Sequence, residues 1–138
     1  MALKRIAHIC LGATDLAATE KFYCGALGCT KAFNFIRGGK RIGYYLRAGD
    51  GTFIEVFLQD KLDTAAPAPI RHLCLEVADI DGMIAKVKAA GFKIGEKKLG
   101  ADHSWQAWTA DPAGVQIEFH EYTPESSQRT GQDCVLDA

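Results

Sequence analysis

Hydrophobic and polar residues alternate in several short stretches of the chain, most clearly in GTFIEVF at residues 51–57. Side chains of a strand point alternately to its two faces, so the aliphatic residues share one face while Glu55 shares the other with Phe53 and Phe57. The aliphatic face is typical of a core. A carboxylate between two aromatic rings needs a partner, because an unpaired charge is costly to bury. The stretch therefore predicts a strand with a functional carboxylate, whose partner is a cation, a metal or a substrate proton.

The segment HICLGATDL at residues 8–16 recurs without a gap as HLCLEVADI at residues 72–80. Each copy predicts a strand that begins with a histidine, followed by an aspartate that caps a helix. Apolar residues in the helix after the second copy follow the i, i+3, i+4, i+7 pattern of one buried face. Gly28 and Gly91 stand where the helices should end, which is a common place for glycine. The chain therefore contains an internal repeat.

Three further strands are predicted in each half after the helix, from alternating residues between glycine-containing turns. They cover 29–36, 41–48 and 52–59 in the first half, and 92–97, 104–109 and 115–122 in the second. Each half is thus predicted to be a βαβββ module. The chain is interpreted as a single domain, residues 1–138, with module one at 4–60, a linker at 61–69, module two at 70–122 and a polar tail at 123–138.

The repeat extends to the last strand of each module, where GVQIEFH at residues 114–120 matches GTFIEVF. Glu118 then stands where Glu55 stands, and each module carries a histidine, His8 or His72, on its first strand. Any one of these residues alone is typical of a hydrogen-bonded or edge position. Their recurrence in both modules predicts that the four converge about a pseudo-twofold axis. Two imidazoles and two carboxylates suit one divalent ion such as Zn, Ni, Co, Fe or Mn.

Composition narrows the class of protein. The chain has 138 residues, with 48% hydrophobic and 24% charged residues and a formal net charge of -1, as expected for one ordinary globular domain. No charge run points to nucleic acid or a membrane surface, and no apolar run approaches the roughly 18 residues of a membrane span. The N-terminal residues lead directly into a predicted strand rather than a signal peptide, so a cytoplasmic protein is expected. The five cysteines form no C-x-x-C pair and are expected to be reduced.

Residues 5–122 resemble the vicinal oxygen chelate superfamily, also called the glyoxalase/bleomycin resistance protein/dioxygenase superfamily. The resemblance is carried by HICLGATDLAATEKFYCGALG, FIEVF, HLCLEVADID and TADPAGVQIEF. It implies an α+β fold in which two tandem βαβββ modules form a cupped, mostly antiparallel eight-stranded sheet with helices on the outside. The family's metal lies within this cup, and its members commonly form homodimers. By position, the metal ligands of glyoxalase I correspond to His8, Glu55, His72 and Glu118.

The ligand set distinguishes among the subfamilies. The extradiol dioxygenases of this superfamily bind their metal with two histidines and one carboxylate. Glu55 would fill a coordination position that they leave open. The similar epimerases usually carry glutamine there. Glyoxalase I is the nearest match, which implies a metal-dependent lyase or isomerase with one divalent ion, Ni, Co or Zn before Mn or Fe. Similarity implies Glu118 as the proton-transfer base, with Glu55 second; alternatively, both stay ligands and a bound water is the base.

Glutathione recognition departs from the family pattern. Glutathione-dependent glyoxalase I members commonly carry Arg four residues after the first histidine and Asn soon after the first glutamate. This chain has Gly12 and Gln59 there, which favours a different small oxygenated substrate over the glutathione hemithioacetal. Two alternatives stay open: a related epimerase, and a non-catalytic small-molecule binding protein like the bleomycin-resistance members.

Other residues on the predicted ligand face are expected to line a pocket for a small molecule. Cys10 and Cys74 lie about 6.6 Å along the strand from the histidines, too far for easy ligation of the same ion, so we expect them to line the cavity. Glu76 is interpreted as an edge salt bridge or a substrate contact. His120, two residues after Glu118, is interpreted as a rim residue or an acid–base group. The candidate pocket-lining set is Cys10, Phe53, Phe57, Cys74, Glu76 and His120.

Overall fold

The computed structural model describes residues 2–62 and 69–136, and the chain divides into two compact units, residues 1–66 and 67–138. The predicted linker at 61–69 falls largely outside the described residues. The first unit contains β1 (His8–Ala13), α1 (Leu16–Glu20) with a π-helical continuation (Lys21–Ala26), β2 (Thr30–Arg37), β3 (Lys40–Arg47) and β4 (Phe53–Leu58). The second contains β5 (Leu73–Glu76), α2 (Ile80–Ala89), β6 (Lys98–Leu99), β7 (Trp105–Ala110), β8 (Gln116–Glu121) and α3 (Ser127–Thr130).

Each unit has a four-stranded sheet, in the order β1-β4-β3-β2 in the first and β5-β8-β7-β6 in the second. The first and last strands of each module run parallel to each other, and the other neighbouring strands run antiparallel. The α+β class with two βαβββ modules is therefore confirmed. Because of this order, each first strand lies directly beside the strand that carries the glutamate. In the two ladders Cys10 pairs with Glu55, and Cys74 pairs with Glu118.

The main helix of each module, α1 with its π-helical continuation in the first and α2 in the second, begins and ends as the sequence predicts. Asp15 and Asp79 each accept a backbone hydrogen bond of 3.0 Å from the first turn, which satisfies a donor that the start of a helix leaves without an intrahelical partner. The glycines that follow, Gly28 and Gly91, have φ of 81° and 88°, a conformation that glycine adopts without a steric penalty. Across the described residues, no helix is long and apolar enough to cross a membrane.

The aliphatic face of each sheet forms the core. Ile54 and Val56 in β4 are 1% and 0% exposed, and Ile117 and Phe119 in β8 are both 0% exposed. The hydroxyl of Tyr44 on β3 donates a 2.9 Å hydrogen bond to the carbonyl of the first residue of α1, so the helix lies over this side of the first sheet. The glutamate side chain in the last strand of each module therefore lies on the opposite face of the sheet from the core, as the alternation predicts.

One predicted strand is wrong. Residues 92–97 make only an isolated bridge between Ile94 and Thr109, and the strand at this place is the two-residue β6. The Thr109 hydroxyl donates to the carbonyl of Lys93 at 2.5 Å. A side chain thus satisfies a carbonyl that a continuous ladder would have paired with a backbone N–H.

The first part of the tail, which has no strong periodicity, packs on the loop before β7. The hydroxyls of Ser104 and Ser126 are 2.8 Å apart, and both residues are fully buried. Gln128 donates from Nε2 to Asp102 Oδ2 at 2.8 Å. These hydrogen bonds anchor α3 and the residue before it to the loop before β7.

Candidate functional site

In the first unit, the histidine and the glutamate of the repeat lie close together. His8 Nε2 is 3.9 Å from Glu55 Oε1. Tyr45 lies on β3, where it pairs with Glu55 of β4, and its hydroxyl is 3.0 Å from His8 Nδ1. If Nδ1 carries the proton and donates it to the hydroxyl, Nε2 keeps a lone pair for a cation. The first unit therefore presents one nitrogen and one oxygen donor side by side.

The second unit repeats this arrangement. His72 Nε2 is 3.4 Å from Glu118 Oε1. The Trp108 ring meets the imidazole edge-on, with centroids 4.8 Å apart and an interplanar angle of 69°, which limits the orientations open to the His72 ring. The equivalent position in the first unit is held by Tyr45, so an aromatic residue flanks the histidine in both units.

A further histidine contacts the second glutamate. His120 Nε2 lies 3.1 Å from Glu118 Oε2, and both residues are 9% exposed. Glu118 therefore lies between two imidazoles, with Oε1 towards His72 and Oε2 towards His120. Glu76 pairs with His120 in the ladder, and its pocket-lining role stays a prediction.

The two cysteines on this face are the ladder partners of the glutamates. Partial burial, then the charge of Glu118 and a hydrogen bond to it, raise the pKa of the Cys74 thiol to about 12. Burial and a hydrogen bond to Glu55 raise the pKa of the Cys10 thiol in the same way. Both thiols are therefore protonated at neutral pH, and each can donate to its glutamate. The spacing along the strand from the histidines did not predict these neighbours, because they lie across the ladder.

Aromatic rings cover the rest of the ligand face in the first unit. Tyr45 stacks on Phe33 and on Phe53, with ring centroids 4.8 and 5.0 Å apart. Phe35 stacks on Phe57 at 4.6 Å. We call these five residues the aromatic face. Phe53 and Phe57 were predicted as lining residues and the other three were not, although Phe33 and Phe35 stand two positions apart on β2, the spacing of one strand face.

The same face of the second unit is more polar. His120 occupies the position of Phe57, and Trp108 occupies that of Tyr45. Trp108 donates from Nε1 to Gln106 Oε1 at 2.8 Å, and the Tyr122 ring meets His120 edge-on with centroids 5.8 Å apart. The two modules thus share the histidine and glutamate but differ in the groups around them.

The Gln59 side chain lies beside Gly12, the position at which glutathione-dependent members commonly carry Arg. A Cβ added at Gly12 would lie 2.7 Å from Gln59 Oε1. The end of the Gln59 side chain therefore fills the space beside Gly12, where a longer side chain would need it to move.

The chemistry and spacing of each pair fit a divalent metal. Two adjacent ligands of an octahedral ion, with bonds of about 2.1 Å, are about 3 Å apart. The separations of 3.9 Å in the first unit and 3.4 Å in the second exceed this by less than an ångström. Neutral imidazole and carboxylate together suit Zn, Ni, Co, Mn or Fe. The pairs belong to separate units, and their convergence on a single ion stays a prediction.

The chain is similar in sequence and structure to several known proteins. The family model Glyoxalase, described as the Glyoxalase/Bleomycin resistance protein/Dioxygenase superfamily, matches residues 5–119. The uncharacterized protein YaeR of Escherichia coli (strain K12) is 28% identical over 129 residues, which cover 88% of this chain and 98% of YaeR. A glyoxalase family protein from Enterococcus faecalis has a similar structure, with a TM-score of 0.75, 27% identity and coverage of 88% of this chain and 100% of that one.

Two more distant structures share the fold. Lactoylglutathione lyase from Agrobacterium tumefaciens has a TM-score of 0.65 and 21% identity, with coverage of 88% of this chain and 96% of that one. TnmS3, an antibiotic binding protein from Streptomyces sp. CB03234, has a TM-score of 0.71 and 21% identity, with coverage of 89% and 99%. At this identity the likeness concerns the fold alone, and the fold serves both an enzyme and a binding protein.

Proposed function

We propose a function from the premise that the chain belongs to the glyoxalase/bleomycin resistance protein/dioxygenase superfamily, as the family match over residues 5–119 shows. The protein is a metal-dependent, glyoxalase I-like lyase or isomerase that shifts a proton next to a carbonyl or hydroxyl oxygen of a small substrate. One observation carries this proposal: a histidine nitrogen and a glutamate oxygen lie side by side in each of the two repeats, at 3.9 and 3.4 Å.

The proposed centre holds one divalent ion through His8, Glu55, His72 and Glu118. Ni, Co and Zn suit this mixed nitrogen and oxygen set best, and Mn and Fe also fit it. Four protein ligands in an octahedral arrangement leave two positions for the substrate. The protein works as a homodimer in the cytoplasm, as the resemblance and the sequence suggest.

A divalent ion in this centre would supply Lewis acidity, which lowers the pKa of a C–H bond next to a coordinated oxygen. The chain's own part is to move the proton. Glu118 takes the proton from one carbon and returns it to the next, with Glu55 as the second choice. His120 supports this role because its Nε2, 3.1 Å from Glu118 Oε2, can orient the carboxylate and share the proton.

The surroundings favour a substrate other than the glutathione hemithioacetal. Gly12 offers no guanidinium for a glutathione carboxylate, and Gln59 fills the space beside it. The aromatic face favours an apolar or aromatic group next to the oxygenated part of the substrate, because such rings bury large planar surface. We therefore propose a small substrate with adjacent oxygen functions at one end and an apolar group at the other.

The second candidate function is small-molecule binding without turnover. The aromatic face favours it, because five rings in mutual contact are typical of a binding surface for a planar compound. The antibiotic binding protein TnmS3, which shares the fold, is an example of this kind of function.

Metal content and turnover distinguish the two functions. The purified protein is analysed for bound metal, reloaded with Ni, Co or Zn, and then screened against thiol adducts of 2-oxoaldehydes and against 2-hydroxy and 2-oxo acids. The enzyme proposal expects stoichiometric metal and turnover that is lost in His72→Ala. A protein that takes up no divalent ion and binds aromatic compounds without converting them would contradict the enzyme proposal and support the binding function.

A further inference from the structure

The second unit brings together three metal-ligating side chains that the proposed function does not use as a set. One ligand atom from each of Cys74, Glu118 and His120 lies within 4.8 Å of the other two. The ligand atoms of a tetrahedral zinc site are about 3.6 Å apart when one is sulfur. The group therefore needs to close by about an ångström, which small side-chain rotations can supply.

The local structure holds two of these groups in place. Glu118 and His120 lie on β8, each 9% exposed, and Glu118 Oε2 is already 3.1 Å from His120 Nε2. Cys74 on β5 is the ladder partner of Glu118. Its exposure leaves a path for an ion and a position for water or another ligand. The three side chains therefore place a carboxylate, an imidazole and a thiol close together in the second unit.

The donor types indicate which ion would bind. A thiolate, an imidazole nitrogen and a carboxylate oxygen are the ligand types of zinc sites, and three protein ligands leave a fourth position open. Mg²⁺ and Ca²⁺ prefer oxygen ligands alone. We propose that the second unit by itself binds one thiophilic divalent ion, Zn²⁺ before the others, through Cys74 Sγ, a carboxylate oxygen of Glu118 and His120 Nε2. The Cys74 proton passes to solvent as the ion binds.

This site goes beyond the proposed function but shares two residues with it, Glu118 and His120. Glu118 directs Oε1 towards His72 and Oε2 towards His120, so the same carboxylate serves the proposed catalytic ion with one oxygen and the thiolate site with the other. An ion at the thiolate site would therefore hold Glu118 Oε2 and His120 Nε2, and it would inhibit the proton transfer that the proposed function assigns to these two residues.

The first unit supplies an internal comparison. Cys10 and Glu55 stand in the same ladder relationship as Cys74 and Glu118. Phe57, however, occupies the position of His120, so the first unit has a phenyl ring, which cannot bind a metal, in place of the third donor. A cysteine next to a glutamate is thus present in both units, and only the second adds the imidazole.

Cobalt titration of the purified full chain tests the proposal, because a thiolate bound to Co²⁺ gives a charge-transfer band in the near ultraviolet. The wild-type protein should show this band. Cys74→Ser should abolish it, and His120→Gln should weaken the binding that produces it by about tenfold or more. Cys10→Ser is the matched control and should keep the band. Absence of the band at saturating Co²⁺, or its survival in Cys74→Ser, would overturn the proposal.

A double variant, His8→Ala with Glu55→Gln, separates this inference from the proposed function. The thiolate site uses neither residue, so the band should persist in the double variant while the total cobalt bound falls. Loss of the band in the double variant would overturn the thiolate site, because the second unit would then be insufficient. A band with no loss of total cobalt would support the thiolate site and contradict the four-ligand centre instead.

Discussion

Phe57 and His120 occupy equivalent positions, two residues after the glutamate in the last strand of each module. Phe57 stacks on Phe35 with ring centroids 4.6 Å apart, whereas His120 Nε2 lies 3.1 Å from Glu118 Oε2. The repeat therefore keeps the glutamate and changes the group beside it. One carboxylate lies among aromatic rings and the other among polar donors, which gives the two halves different chemistry.

Replacing Glu55 or His72 by alanine should abolish tight metal binding at the four-ligand centre and lower the total metal bound, because each change removes one of the four proposed donors. Far-UV circular dichroism should stay nearly unchanged, since the two side chains are 19% and 39% exposed. Elemental analysis after dialysis measures the result. Glu96→Ala, which removes an exposed carboxylate elsewhere, should retain the metal. Full metal occupancy in both single variants would contradict the ligand assignment.

Glu118→Gln should lose most activity while it retains much of the metal, because the amide still offers an oxygen but cannot accept the proton. Glu55→Gln is the matched control and should be milder. Steady-state kinetics on a substrate found in the screen measures both variants. Solvent deuterium should appear at the migrating position of the product.

The opposite ranking of the two variants would assign the base to Glu55. Near-normal turnover in both would mean that neither carboxylate moves the proton, as expected if a bound water is the base.

Tyr45→Phe should weaken metal binding at the four-ligand centre by about tenfold or more, the usual effect of losing a partner that orients a ligating histidine. The change removes the hydroxyl that lies 3.0 Å from His8 Nδ1 and keeps the stacked ring. Calorimetric titration of the apo protein measures the affinity. Tyr122→Phe removes a hydroxyl from the other unit and should have no such effect. Equal affinities in all three proteins would exclude this role for Tyr45.

Glu20→Gln should lower the stability of the protein at neutral pH. Burial raises the pKa of the Glu20 carboxyl, but hydrogen bonds and charge from Arg41 and Lys31 outweigh it, so the pKa is lowered from its ordinary value of 4.5. Because the folded-state pKa is lowered, the carboxylate stabilises the fold above pH 4.5, and this contribution is lost as the pH falls through the folded-state value. The partners are about one-third exposed, so we expect only about 0.5 kcal/mol at pH 7.

Urea unfolding of the wild type and of Glu20→Gln, at neutral pH and at successively lower pH, measures this contribution. The difference in unfolding free energy should shrink as the pH falls. Glu96→Gln, at an exposed position, serves as the control. A difference that stays constant over the whole pH range would show that packing, and not charge, explains the effect.

The methylglyoxal–glutathione hemithioacetal should be a poor substrate with Ni, Co or Zn, because Gly12 supplies no cation for glutathione. We expect kcat/KM below about 10⁵ M⁻¹s⁻¹, which is near the lower end of the usual enzyme range. The lactoylglutathione lyase from Agrobacterium tumefaciens provides the positive control for the assay. A higher value for this protein would identify the hemithioacetal as a good substrate and overturn the substrate proposal.

The sequence predicted the two modules well because their signals are local. Alternation along a strand indicates which face Glu55 occupies, and an aspartate such as Asp15 caps its helix within a single turn. Contacts between strands were harder to predict, because they depend on strand order. The parallel neighbours bring Cys74 beside Glu118, and β3 brings Tyr45 beside Glu55. No spacing along the chain encodes these neighbours.

The sheet order has a consequence for the motion of the chain. β1 and β5 each have a single neighbouring strand in their own sheet, β4 and β8 respectively, and strands held on one side only exchange their amide hydrogens more readily than central strands. An ion bound by His8 and Glu55 would join β1 to β4 as a cross-link, and an ion bound by His72 and Glu118 would do the same beside β5. The proposed catalytic metal would then also stabilise these two edge strands, and loss of the metal would be visible in their amide exchange before any change in the core.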